Sequence, residues 1–184
     1  MRMFFAATLA LLGIAGTVAT AHSNVVILTE RSVRDVLDAY QAAHKAKDTE
    51  KAARYLSDDY LIRFTYLKGY TGSSDTRVVT MTRQQAIDEK NKAIARAKTL
   101  GLDVRDESTA PSITIKNGKA HAHLRTTGTT IWGGKTIVVV GAMDETLEVR
   151  NGRVMITSAT ATVSSVLING QATTGTSSKS PPTN

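Results

Sequence analysis

Between Ser32 and Ile62 the spacing of apolar residues changes period, from three and four to two. Val33, Val36, Leu37, Tyr40 and Ala43 form one apolar stripe at helical spacing. Ser32, with Asp35 three residues on, suggests a capping box at the start of that helix. The polar corner Ala46-Lys47-Asp48 offers Asp48 as N-cap to a second helix, whose buried side carries Ala52, Tyr55 and Leu56. The β-formers from Tyr60 to Tyr66 then predict a strand.

The glycines and serines of Lys68 to Asp75 read as a loop, followed by a short return strand over Arg77 to Thr80. A third helix starts at Thr82, capped with Gln85, and stops at Gly101. Its apolar face is narrow and rich in alanine, which predicts packing at the edge of the core. Beyond it, Asn117-Gly118, Gly133-Gly134 and Asn151-Gly152 supply the positive φ angles of tight hairpins. They divide the chain into strands over Ser112–Lys116, Lys119–Trp132, Lys135–Arg150 and Arg153–Ile168. Strands this long bend, and Gly141 is the expected place for a bulge. The pattern predicts an α+β domain in which a curved antiparallel sheet wraps two to three N-terminal helices.

Helix, "AKD", helix, "LSDDY" and then strand resembles the opening of the nuclear transport factor 2-like superfamily, which includes SnoaL-like proteins, ketosteroid isomerase and scytalone dehydratase. The order of elements matches from about Thr29 to Val166, and Val36 to Ile62 aligns without gaps. The resemblance implies a cone-shaped α+β barrel. It also implies that Tyr40 matches the tyrosine that donates to the developing oxyanion in ketosteroid isomerase, and that the carboxylate base of that enzyme falls at Phe64. Phenylalanine takes no proton, so base catalysis by that route is not expected.

Residues 1–21 carry an N-terminal arginine, an apolar run and Ala19-Thr20-Ala21, the pattern of a cleaved secretory signal. The expected location is therefore periplasmic or secreted, without a stable membrane anchor. The chain has no cysteine, so no disulfide framework supports it. Residues 29–168 are expected to form the domain and 169–184, polar and without periodicity, a disordered tail. The formal charge of +7 falls to +6 when Arg2 is removed with the leader. Lys45, Lys47 and Lys51, and Lys90, Lys92, Arg96 and Lys98, have the spacing of solvated helix faces, and nucleic acid is not an expected partner.

Glu145 shares its parity with apolar Met143, Leu147 and Val149, so it is expected to face the core, where burial raises a carboxyl's pKa. Tyr40 and Glu145 are the candidate catalytic pair; Tyr40, Phe64, Trp132, Met143 and Glu145 are the expected ligand-binding set. Trp132, beside the Gly133-Gly134 turn, could close a cone mouth near Tyr66 and Tyr70. His121 and His123 are the candidate metal pair, but no third ligand is nominated, and Arg125 in the same row opposes a cation. A polar outer sheet face accounts for all three. An N-terminal His22 after cleavage is a further copper-type donor. No cofactor is implied: there is no P-loop or dinucleotide fingerprint, and no serine nucleophile motif.

The expected function is the binding of a small hydrophobic or amphipathic molecule in the cone without catalysis. An isomerase, cyclase or dehydratase using Tyr40 and Glu145 is the enzymatic alternative, and an envelope interaction module that dimerises through the sheet is the third.

Overall fold

The computed structural model describes residues 26–66 and 76–172, so the leader, His22, the Lys68 to Asp75 loop with Tyr70, and residues 173–184 lie outside the described residues. In chain order the elements are α1 (Glu30–Lys45), α2 (Thr49–Ala53), β1 (Leu56–Tyr66), β2 (Arg77–Thr82), α3 (Arg83–Thr99), β3 (Asp103–Ser108), β4 (Ser112–Lys116), β5 (Lys119–Trp132), β6 (Lys135–Arg150), β7 (Arg153–Ile168) and β8 (Gln171–Ala172). The strands form one open sheet in the order β2-β1-β7-β6-β5-β3, with β4 also on β5 and β8 on β7. No helix among the described residues is long and apolar enough to cross a membrane.

The sheet is mixed rather than wholly antiparallel, because β1 runs parallel to β7 with Ile62 opposite Ala159 and Phe64 opposite Ala161. No hairpin signal joins these two strands, so local turn chemistry could not reveal their pairing. The bounds of β4 to β7 are those the turns predicted, and all three glycine-containing pairs adopt positive φ. A fourth pair, Asn169 and Gly170, does the same and returns the chain into β8. The sheet therefore continues past residue 168 into a segment expected to be tail.

Caps fix the helices. Thr29, not Ser32, is the N-cap of α1: it has extended backbone, its side chain accepts from Ser32 N–H at 3.1 Å, and Ser32 Oγ accepts from Thr29 N–H at 2.9 Å. Ser32 takes the third helical position because the helix starts a turn ahead of its first buried residue, Val33. Asp48 caps α2 through Lys51 N–H at 2.9 Å, and Thr82 and Gln85 form the expected box on α3. α3 has no fully buried residue, consistent with edge packing. Leu56, expected on α2, instead opens β1.

Val33 and Leu37 of α1 bury completely against Leu147, Ile156 and the small residues Ala120, Ala122 and Ala159 on the inner sheet face. A buried leucine or valine contributes about 1.5–3 kcal/mol, and the alanines let helix and sheet approach closely. β6 and β7 have 16 residues each and extend about 50 Å at the usual strand rise. The 16 residues of α1 cover about 24 Å. The inner sheet face thus continues well beyond its helical cover.

Both irregularities between these strands lie in β7. Thr157 and Ser164 are extra residues in its register with β6, and their hydroxyls donate to Thr146 O at 3.2 Å and Val140 O at 3.0 Å. The expected bulge at Gly141 is therefore displaced onto the partner strand opposite it. Gly141 is still required there, since a Cβ would stand 2.6 Å from the Thr162 carbonyl oxygen. Gly141→Ala is expected to destabilise the protein by about 1–3 kcal/mol, because backbone must move to admit the methyl. Urea titration should show a lower midpoint with an unchanged slope.

Candidate functional site

Where α1 stops covering the sheet, a cavity of about 580 Å³ opens between its C-terminal half, α3 and the strands. The helical stripe continues from buried Val33 and Leu37 to Tyr40 and His44, which line the cavity. Along β1 the alternating residues Tyr60, Ile62, Phe64 and Tyr66 all line it. Along β6 the core residue Leu147 gives way to Glu145, Met143, Gly141 and Val139 on the cavity wall. Glu145 thus stands where the packed core ends and the cavity begins.

Three polar side chains from three elements meet at that boundary. Glu145 is 3% exposed, and burial alone raises its pKa to about 7. The pKa of Tyr40 is held well above its usual value by burial first, then by Tyr60 and Glu145. Burial and then Glu145 also raise that of Tyr60, while its hydrogen-bonding contact with the Tyr40 hydroxyl works in the opposite direction. Both phenols stay protonated at neutral pH, and the carboxyl is poised between its two states.

His44 stacks edge-on against Tyr40, with ring centres 4.4 Å apart and an angle of 72°. Burial, and secondarily Lys90, lowers its pKa to about 4 against the opposing pull of Asp106. It is a neutral imidazole at pH 7. Lys90 pairs with Asp106 at 3.5 Å, and Ser108 Oγ donates to Gln41 Oε1 at 2.9 Å on the same side of the cavity. Gln41 Nε2 is buried and meets no acceptor among the described residues.

Tyr40, Phe64, Met143 and Glu145 of the expected set come together on the cavity wall. Trp132 does not: β5 runs two residues past Thr130, a cavity-lining residue, and leaves Trp132 57% exposed at the hairpin end. Tyr66 lines the cavity without it. His121, His123 and Arg125 are exposed on the opposite sheet face, where His123 Nδ1 lies 2.7 Å from Asp144 Oδ1. Among the described residues no group of three or more metal-ligating side chains gathers. Lys90 belongs to the cavity wall rather than to a solvated face. Tyr60 and His44 were not singled out from sequence, although their spacing from Phe64 and Tyr40 carried the signal.

No family model and no curated protein matches the chain. Solved structures match it in fold. A nuclear transport factor 2-like protein from Cytophaga hutchinsonii is 14% identical, with a TM-score of 0.54 over 74% of this chain and 100% of its own. A protein from Catenulispora acidiphila, in complex with S-DNPA, is 16% identical, with a TM-score of 0.52 over 72% of this chain and 91% of its own. A scytalone dehydratase-like protein from Novosphingobium aromaticivorans is 10% identical, with a TM-score of 0.54 over 74% of this chain and 85% of its own.

The raised pKa of Glu145 makes its contribution to stability greatest below pH 4.5 and lost as pH rises to about 7. That of His44 has the opposite sign, lost as pH falls from 6.5 through about 4. Glu145→Gln should remove the first loss and leave the second. Urea titrations across pH should then find the variant more stable than the parent above neutrality, by up to about 3 kcal/mol.

Proposed function

We propose that this chain, whose fold is the nuclear transport factor 2-like cone, is an exported binding protein for a small, mainly apolar molecule held in the cavity between α1, α3 and the sheet. The cavity itself carries this reading: about 580 Å³ of space, walled by Ile62, Phe64, Leu124, Val139 and Met143, with a few polar groups gathered at one end. Tyr40, Tyr60 and Glu145 would orient the ligand's polar group, and Gln41 Nε2 offers a further donor. The leader-like pattern of residues 1–21 supports export. A solved neighbour of the same fold holds S-DNPA, in keeping with a ligand-binding use of such a cone.

Phe64 stands on the cavity wall and supplies no base. A second reading, an isomerase or lyase in which Glu145 moves the proton and Tyr40 steadies the developing charge, is favoured by one observation: the carboxyl's pKa of about 7.

Thermal shift against a broad library of small apolar compounds tests the binding reading. Hits are expected, and Ala161→Phe, which fills the cavity from β7, should abolish them while leaving a cooperative unfolding transition. No shift with any compound would count against the proposal. Turnover of a bound compound that falls by about a hundredfold or more in Glu145→Gln would move the assignment to the enzyme reading.

A further inference from the structure

We infer that the group this cavity recognises is an ammonium: the ligand is a lipophilic aromatic or aliphatic amine whose cation meets Glu145 among the rings of Tyr40, Tyr60, Phe64 and Tyr66. This rests on the ligand-binding reading above and specifies its chemistry.

The first ground is a buried carboxyl without a counter-charge. Glu145 lines the cavity, and among the described residues no ion pair reaches it, although the chain is strongly basic. The lysines of the cavity wall do not serve it: Lys90 is engaged with Asp106 at 3.5 Å, and Lys45 is exposed. His44 is held neutral, with burial and Lys90 both opposing its charge. An ionised carboxyl in such a place is costly unless a cation arrives with the ligand.

The second ground is the company it keeps. Four of the chain's nine Phe, Trp and Tyr residues line this cavity, and Phe64 and Tyr66 stack at 6.0 Å with 12° between their planes. Ring faces attract a desolvated cation. A ligand carbonyl would need a donor instead, and the Tyr60 hydroxyl, whose oxygen accepts from Tyr40, already provides one. An ammonium brings three N–H donors to acceptors the site has: the carboxylate and the phenolic oxygens.

The proton balance follows. The titratable groups facing Glu145 are Tyr40 from α1 and Tyr60 from β1, and both keep their protons. When an already protonated amine binds the neutral carboxyl, Glu145 gives up its proton to solvent and one ion pair forms. Amine affinity therefore rises with pH through about 7, whereas affinity for a ligand oxygen that accepts from the protonated carboxyl falls over the same range.

The test compares naphthylmethylamine, naphthylmethanol and naphthoate by titration calorimetry on the intact protein, at about pH 6 and about pH 8, in buffers of different ionisation enthalpy. The amine should bind about tenfold or more tightly than the alcohol at the higher pH, with close to one proton released at the lower. Glu145→Gln should erase that preference and the proton release with it. The proton count needs no variant, so it stands if Glu145→Gln does not fold. Alcohol or naphthoate binding as tightly as the amine, or amine binding without proton release, overturns the ammonium assignment and leaves the binding reading intact. Binding of none of the three overturns the ammonium assignment, while the binding reading falls only if the broad library also gives no shift.

Discussion

A sheet whose strands run about twice the length of the helix laid across them cannot be covered along its whole inner face, and the rest of this molecule depends on that mismatch. At the covered end, Val33 and Leu37 pack fully buried on alanines, Leu147 and Ile156. Past Tyr40 the same stripe finds space instead of sheet side chains, and the cavity is what remains. The two extra residues of β7 contribute by bending the long strand, each with its hydroxyl on the opposing backbone.

The position of Glu145 gains its meaning from this arrangement. Two residues toward Leu147 it would lie in the packed core with no room for a partner; six toward Val139 it would stand on the cavity wall away from the core boundary. At the boundary it is desolvated yet within reach of whatever fills the cavity, which leaves its proton loosely held near neutrality. His44, one helical turn beyond Tyr40, is stripped of its charge by burial and by Lys90, so it offers the buried acid no cation.

Much of this was legible in the sequence, for local reasons. Asn-Gly and Gly-Gly turns fix strand ends because only a few residue types tolerate positive φ, and so β4 to β7 were bounded from the turns alone. Glu145 was placed correctly because both extra residues fall in β7, leaving the alternation of β6 unbroken. What was not legible was non-local. The parallel pairing of β1 with β7 has no turn to announce it, and the Trp132 ring shares a strand with cavity residues but lies beyond the helices that make the cavity. Tyr60 and His44 become functional candidates only when β1 and α1 face one another.

The departure at Phe64 carries more weight in three dimensions than it does in the sequence. Had the cavity collapsed, a phenylalanine at that place would be one more core residue; instead it lines open space, stacked with Tyr66 on the same wall as Tyr60. A ring in place of a strand carboxylate supplies no base and adds an apolar, electron-rich face, while the buried carboxyl of the cavity stands on β6. Tyr40 and Tyr60 keep their protons and His44 is neutral at pH 7, so Glu145 is the buried group whose charge changes near neutrality. In the ammonium reading proposed above, charge, hydrogen-bond acceptors and ring faces would act on the same ligand atom, which joins the Phe64 ring and the Glu145 carboxyl in one recognition role.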